Sequence, residues 1–324
     1  MADGAASRPG GERGPVFFDL QVNGYAGVDF NADGVTPDGL HRACSRLQED
    51  GVEGCLVALI TDEVDAMCRR LSALAAMRDR DPAAKRIIAG FHIEGPFLNA
   101  ADGYRGAHPR NAIRRAEPDA MRRLLDAASG LARIVTLAPE QDPGFEVIRL
   151  LAREGLVVSA GHTDASIDVL QGAIDAGVSM FTHVGNGCPM TMHRHDNIVQ
   201  RVLGLADRLR VSFIADGAHV PFVALRNYLR LVPLERCAIV TDCIAPAGLG
   251  PGRYTLGRWD IVVGDDMVPR SPDGSHFVGS GVTMPQSAKN LRERLNLPEE
   301  TVRRLTYDNP KAFIASSVIG GAGL

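Results

Sequence analysis

The feature that most constrains this chain is a regular alternation of short β-type runs with longer amphipathic helical segments. Most of the short runs are continuously apolar, which is typical of strands covered on both faces of a parallel sheet. The predicted strands are 16–20, 55–60, 86–93, 133–137, 156–160, 179–182, 210–214 and 237–241. The predicted helices are 38–50, 63–78, 118–128, 145–154, 166–176, 221–230 and 284–295. Eight strands with helical crossovers indicate an α/β fold of the (β/α)₈ TIM-barrel type, and a doubly wound open sheet is the alternative.

The predicted domain organisation follows from where this alternation begins and where it is interrupted. Residues 1–15 are rich in glycine, alanine and charge, and we expect them to form a flexible N-terminal tail. Residues 16–324 are expected to form a single barrel domain with a β-hairpin excursion at about 250–281. The tail lacks the apolar stretch of a secretory signal, and no run of about 18 apolar residues occurs, so we expect a cytoplasmic protein without a transmembrane helix.

Composition excludes several classes of protein. Apolar residues make up 45% of the 324 residues, which is enough for a sizeable core and excludes a wholly disordered or fibrous chain. Lysine and arginine number 35 against 39 acidic residues, a net charge of −4, so neither nucleic acid nor membrane is an expected partner. The six cysteines form no C-x-x-C pair, and we expect free thiols rather than a zinc finger or a disulfide framework.

Polar residues follow the predicted strands at the ends where a parallel barrel carries its active site. Glu94 ends the third strand, and His162 and His183 follow the fifth and sixth. Two imidazoles and a carboxylate with one position open to water form a catalytic zinc pattern, and Fe²⁺ or Mn²⁺ would accept the same ligands. Any one of these histidines alone is better explained as an ordinary buried residue, but their succession at strand ends predicts a metal site.

Asp242 ends the eighth strand and has two interpretations. It is either a helix cap or ion-paired carboxylate, or a general base that takes a proton from water and delivers it to a leaving group. Several further polar residues in nearby loops offer donors for a carbonyl and an anion, although each alone is more simply a loop residue. They are His108, Asn186, Gly187, Arg194 and His219.

At these residues the chain resembles the N-acetylglucosamine-6-phosphate deacetylases of the amidohydrolase superfamily. The matching segments read FDLQVNG at 18–24, HIEGPF at 92–97, GAHP at 106–109, GHT at 161–163, TH at 182–183, ADGAHV at 215–220 and VTD at 240–242. They occur in order over about residues 16–314. The resemblance implies removal of the acetyl group from N-acetylglucosamine 6-phosphate, which gives glucosamine 6-phosphate and acetate.

The resemblance also implies roles for individual residues. Asp242 would be the general base and then the acid, and His108 would polarise the acetyl carbonyl. The polar residues Gln21 and Asn23 stand where many amidohydrolases have His-x-His, which is similar to the single-metal branch. The implied metal ligands are Glu94, His162 and His183, and the implied sugar and phosphate contacts are Asn186, Gly187, Arg194 and His219.

Departures from the family pattern leave alternatives open. The accessory β-sandwich is expected to be largely absent, with a small-molecule amino sugar phosphate as the partner and a homodimer as the possible assembly. The segment VGNGCPMTMHRHD after His183 differs from the family's usual sequence, so the phosphate contacts are less specific than the metal ligands. The alternatives are a deacetylase of another N-acyl amino sugar or N-acyl amino acid, and a non-catalytic sugar-phosphate-binding protein.

Overall fold

The structure, a computed structural model, describes residues 15–274 and 276–315. Residues 1–14 of the predicted tail and the end of the predicted domain beyond 315 lie outside the described residues. The strands are β1 (Phe17–Val22), β2 (Gly24–Tyr25), β3 (Val28–Asp29), β4 (Val52–Ile60), β5 (Ile88–Glu94), β6 (Ala132–Leu137), β7 (Val157–Ala160), β8 (Val178–Phe181), β9 (Arg210–Ile214), β10 (Cys237–Val240), β11 (Gly252–Leu256), β12 (Trp259–Val263) and β13 (Pro269–Arg270). The helices are α1 (Pro37–Glu49), α2 (Val64–Arg80), α3 (Pro82–Ile87), α4 (Pro118–Ala127), α5 (Glu146–Arg153), α6 (Ile167–Ala176), α7 (Ile198–Leu203), α8 (Phe222–Leu231), α9 (Met284–Leu295), α10 (Glu299–Arg303) and α11 (Asn309–Ala315).

Eight of these strands form one parallel sheet in the order β1-β4-β5-β6-β7-β8-β9-β10. Each barrel strand pairs with the next one along the chain, whereas a doubly wound sheet would reverse its strand order at a switch point. The first and last strands approach each other through a parallel bridge between Val22 and Cys243. The Thr241 hydroxyl also donates to Asp19 Oδ2 at 2.5 Å. The predicted (β/α)₈ barrel is therefore confirmed.

Side chains of the barrel strands alternate between two apolar layers. The outward side chains pack against the helices, and the inward ones fill the barrel below the carboxyl ends of the strands. The inner cluster contains Phe18, Leu20, Leu56, Ile134, Val157, Met180, Ile214, Ala238 and Val240, with Phe313 and Ile314 of α11 packed against it. The barrel is thus a filled core, and its polar residues are concentrated at the opposite, carboxyl-terminal face.

A small antiparallel sheet of β11, β12 and β13 lies between β10 and α9. Its β11–β12 turn is attached near the carboxyl ends of the first barrel strands, because the backbone N–H of Gly257 donates to Asp29 Oδ2 at 2.6 Å. Arg258 in the same turn forms an ion pair with Asp62, which follows β4. Leu256 is buried in an apolar cluster with five other side chains that include Ile60 of β4. The sheet therefore packs beside the face that carries the predicted site.

The predicted and observed element boundaries differ by one to three residues at several places, and in one of them predicted strand residues are helical. Residues 86–87 were expected to begin the third strand, but they form the last turn of α3. The Asp81 side chain accepts a hydrogen bond from the Ala83 N–H at 2.8 Å, and Pro82 occupies the first helical position. A capping aspartate followed by proline starts a helix efficiently, so the strand begins only at Ile88.

Among the described residues, no helix combines the length and the apolar character needed to cross a membrane.

The contact that joins β1 to β10 predicts a pH-dependent stability. Asp19 is 1% exposed, and burial raises its pKa to about 7. A carboxyl group with a higher pKa in the folded chain binds protons more tightly there, so the free energy of unfolding should fall as the pH rises from about 4 to about 7. Asp19→Asn should remove up to about 4 kcal/mol of this dependence. Urea unfolding of the wild type and of Asp19→Asn, in EDTA at pH 4.5 and 7.5, measures the pH dependence of the free energy of unfolding. The same change with pH in both proteins would contradict the role of Asp19.

Candidate active site

The predicted site residues lie at the carboxyl ends of four barrel strands. Glu94 is the last residue of β5, while His162, His183 and Asp242 are each the second residue after β7, β8 and β10. These three residues have φ angles of +50°, +31° and +50°, in the left-handed region. That conformation costs a non-glycine residue about 1 kcal/mol or more and is concentrated at functional sites. The repeated geometry turns each side chain toward the mouth of the barrel.

Glu94 and the two histidines are close enough to share one cation. His183 Nε2 lies 3.0 Å from Glu94 Oε1, and His162 Nε2 lies 3.4 Å from the same oxygen. One ligand atom from each residue lies within 4.8 Å of the others, and all three side chains are buried. His183 Nδ1 is also buried and has no hydrogen-bond partner among the described residues.

The environment of His162 determines which of its nitrogens faces the carboxylate. Its Nδ1 lies 2.7 Å from the Tyr104 carbonyl oxygen, so Nδ1 carries the proton. In neutral imidazole the lone pair of Nε2 then points toward Glu94. Gly187 packs against this ring, since a Cβ built there would lie 2.8 Å from His162 Nδ1, and its φ of +59° also favours glycine.

This donor set fits a divalent metal. No lysine or arginine in the described chain forms an ion pair with Glu94, which is 2% exposed. Burial alone would raise the pKa of Glu94, but the adjacent imidazoles of His162 and His183 hold that pKa well below its usual range. A carboxylate that faces the lone pair of His162 needs a shared positive charge, and two nitrogens with one oxygen suit a divalent transition metal.

His108 is placed as a neutral hydrogen-bond donor beside this centre. The backbone N–H of Thr61 donates to His108 Nδ1 at 3.2 Å, and a backbone N–H cannot accept. The proton of neutral His108 is therefore on Nε2, which lies 3.8 Å from Glu94 Oε2. Burial and the nearby His162 lower the pKa of His108 to about 3, so the ring stays uncharged near neutral pH.

Asp242 is held by an amide that directly follows β1. Asn23 Nδ2 donates to Asp242 Oδ1 at 2.8 Å. Removal from solvent and the negative charge of Glu94 raise the pKa of Asp242 to about 6. A carboxyl group with a pKa near neutrality can both accept and return a proton.

The residues predicted to contact the substrate lie at different distances from the candidate metal ligands. Asn186 Nδ2 donates to the carbonyl oxygen of His183 at 3.1 Å, so Asn186 and Gly187 lie beside the metal ligands. His219 Nδ1 lies 2.6 Å from Asp216 Oδ2 at the end of β9. Arg194 is exposed in the loop after β8, and no hydrogen bond or ion pair joins it to the other described residues.

Sequence reasoning missed the residues that hold the site histidines in place. Thr61 fixes the tautomer of His108 through a backbone N–H, and Tyr104 orients His162 through a backbone carbonyl. Backbone partners leave no side-chain signal in a sequence. Asp216 does have one, because it precedes His219 by three residues in the segment ADGAH.

Comparisons with known proteins agree with this geometry. The chain matches no family model. It is 35% identical to N-acetylglucosamine-6-phosphate deacetylase of Bos taurus over 258 residues, which are 77% of this chain but only 61% of that protein. It is 31% identical to the Bacillus subtilis enzyme of the same name over 301 residues, 91% of this chain and 73% of the relative. A solved structure of a Mycobacterium smegmatis N-acetyl-D-glucosamine-6-phosphate deacetylase mutant, in complex with N-acetyl-D-glucosamine-6-phosphate, has a TM-score of 0.84 and 30% identity, covering 96% of this chain and 82% of its own.

The metal-binding assignment predicts different effects for two neighbouring residues. Glu94→Gln removes the only carboxylate of the triad and should weaken Zn²⁺ binding by more than about 100-fold, measured by competition with a chromophoric chelator. His219→Asn is the matched control, because His219 bonds Asp216 rather than the triad, and its Zn²⁺ affinity should be unchanged. Wild-type affinity in Glu94→Gln, or equal loss in both variants, would contradict the assignment.

Proposed function

Because the chain belongs to the N-acetylglucosamine-6-phosphate deacetylase family, we propose that it hydrolyses the acetamide of N-acetylglucosamine 6-phosphate. The products are glucosamine 6-phosphate and acetate. The observation that carries this proposal is the meeting of Glu94, His162 and His183 with a neutral donor, His108, at one barrel mouth. The metal is proposed to be Zn²⁺, which two imidazoles and a carboxylate suit, although Fe²⁺ and Mn²⁺ accept the same ligands.

The protein's own residues are assigned the proton transfers. A divalent metal bound to Glu94, His162 and His183 supplies Lewis-acid polarisation and makes water more acidic. Asp242 takes the proton from the water that attacks the acetyl carbonyl carbon. The C–N bond then breaks, and Asp242 returns the proton to the departing amine nitrogen, so that it ends the cycle as it began. Its pKa of about 6 suits both steps near neutral pH.

We assign to His108 the stabilisation of the negative charge that develops on the acetyl carbonyl oxygen. Because the Thr61 N–H occupies Nδ1, the single proton of neutral His108 is on Nε2 and can be donated to that oxygen. A preorganised donor of this kind typically contributes about 10²–10³ in rate. The sugar and its phosphate are assigned to Asn186, Gly187, Arg194 and His219.

The decisive experiment is acetate release from N-acetylglucosamine 6-phosphate by the purified protein, with bound metal counted in the same preparation. Turnover with close to one metal per chain is the expected result. Metal without turnover would move the search to other N-acyl amino sugars or N-acyl amino acids. Neither metal nor turnover after reconstitution with Zn²⁺ would favour a non-catalytic sugar-phosphate-binding protein.

Asp242→Asn tests the acid–base assignment. Asparagine adopts the left-handed conformation of Asp242 readily, so the variant should fold and bind Zn²⁺ normally. Loss of the proton acceptor should lower kcat by about 10²–10⁴-fold. Steady-state kinetics and chelator competition measure the two quantities, and a near-normal kcat would refute the role.

Arg194→Gln tests the phosphate contact. Arginine binds phosphate through charge-assisted hydrogen bonds, so the variant should lower kcat/KM for N-acetylglucosamine 6-phosphate by about 10-fold to 100-fold. Its activity on unphosphorylated N-acetylglucosamine should not change. Arg208→Gln is the control, because Arg208 is also exposed but precedes β9 at the opposite face of the barrel, where it pairs with Asp175. An equal effect on both substrates would exclude a phosphate-specific role.

A further inference from the structure

Two amide side chains, Gln21 near the end of β1 and Asn23 just after it, each donate to one carboxylate of the site. In the pairing of β1 with β4, Asp19 lies opposite Cys55 and Val22 opposite Val57, so three steps on β1 match two on β4. Leu20 belongs to the apolar cluster inside the barrel. The extra residue allows Gln21, directly after it, to point inward as well, and bulges commonly redirect side chains next to active sites.

Gln21 gives the two oxygens of Glu94 different surroundings. Its Nε2 donates to Glu94 Oε2 at 3.1 Å, and its Oε1 accepts from the Thr182 hydroxyl at 2.9 Å, which fixes the orientation of the amide. The other oxygen, Oε1, is the one that faces the Nε2 atoms of His162 and His183. Because Gln21 is fully buried, no water competes for this bond. The amide therefore directs a single carboxylate oxygen toward the cation position.

Asn23 likewise gives the two oxygens of Asp242 different surroundings. Its Nδ2 donates to Oδ1, which leaves Oδ2 of Asp242 without that partner and available for proton transfer. The backbone of Asn23 is fixed on both sides, since its N–H donates to the Cys243 carbonyl oxygen at 2.8 Å and its carbonyl oxygen accepts from Phe30 N–H at 3.0 Å. Its own Oδ1 is buried and has no partner among the described residues.

A second buried asparagine shows what a purely structural amide looks like here. Asn31 Oδ1 accepts from the Ile60 N–H at 2.8 Å, and its Nδ2 donates to the Ala58 carbonyl oxygen at 3.2 Å. Asn31 Nδ2 also donates to the Asn23 carbonyl oxygen at 3.4 Å, so the bonds of this side chain all go to backbone groups. Asn23 instead bonds through its side chain to Asp242 alone, which is unexpected for an amide that serves only folding.

We propose that Gln21 and Asn23 are positioning residues with separate functions, one acting on metal affinity through Glu94 and the other on proton transfer through Asp242. The role of Asn23 rests on the proposed deacetylation, whereas the role of Gln21 rests only on the metal site. The two residues are only two positions apart in the sequence, yet their substitution should give different signatures.

Gln21→Leu removes the amide that selects the oxygen of Glu94. We expect Zn²⁺ affinity, measured by chelator competition without substrate, to fall by about 10-fold to 100-fold. Saturating Zn²⁺ should restore kcat to within a few-fold of the wild type. Gln21→Met, which keeps the chain length, replaces this variant if Gln21→Leu does not fold, and unchanged Zn²⁺ affinity in a folded variant would overturn the role of Gln21.

Asn23→Leu removes the donor to Asp242 and keeps the number and branching of the side-chain heavy atoms. We expect kcat to fall by about 10-fold to 100-fold, while KM and Zn²⁺ affinity stay within about twofold of the wild type. Asn23→Ser is the second variant if Asn23→Leu does not fold. A normal kcat, or a loss of kcat that added Zn²⁺ reverses, would overturn the role of Asn23.

Asn309→Ser is the structural control, because the buried Asn309 donates from Nδ2 to the backbone carbonyl oxygens of Leu234 and Cys237, at the opposite end of β10 from the site. Thermal unfolding is recorded for all the variants. Asn309→Ser should lower Tm while leaving kcat per bound Zn²⁺ close to the wild-type value. If the Gln21 and Asn23 variants behaved in this same way, both roles would be refuted. A wild-type protein that binds Zn²⁺ but releases no acetate would refute the proposed function and the role of Asn23 together, while the Zn²⁺ titration would still decide the role of Gln21.

Discussion

The buried negative charge of Glu94 is the constraint on which the rest of the site depends. A carboxylate removed from water needs compensating positive charge, and within the described chain no lysine or arginine pairs with it. Three imidazoles surround it instead, from His108, His162 and His183. At least one of them, His162, presents a lone pair rather than a proton because its other nitrogen donates to a carbonyl. The buried negative charge of Glu94 is therefore balanced only when a cation is bound.

The barrel makes this arrangement possible by separating its apolar and polar layers. Inward side chains low on the strands fill the interior, so the carboxyl ends rest on a packed base. Residues just beyond the strand ends are free to adopt left-handed conformations, as His162, His183 and Asp242 do. The strained residues follow directly on rigid strands, which hold these conformations and so fix the side chains.

Backbone groups and amides, rather than further charges, orient the reactive side chains. The N–H of Thr61 and the carbonyl of Tyr104 each fix a histidine tautomer, and Gln21 and Asn23 each donate to one carboxylate oxygen. Neutral partners set geometry without neutralising the charge that holds a metal or moves a proton. A lysine or arginine in the same positions would compete with the cation for Glu94.

The sequence by itself determined the barrel and predicted the residues that form its candidate metal site. Buried parallel strands need continuously apolar runs, and polar residues at their ends stand out against that background, so Glu94, His162 and His183 could be found from position alone. Tertiary structure decided which partners orient them. The register shift in β1 that turns Gln21 inward leaves no pattern in the residue letters. Contacts such as that between Asn23 and Asp242 join residues 219 positions apart and arise only when the first and last strands of the barrel meet.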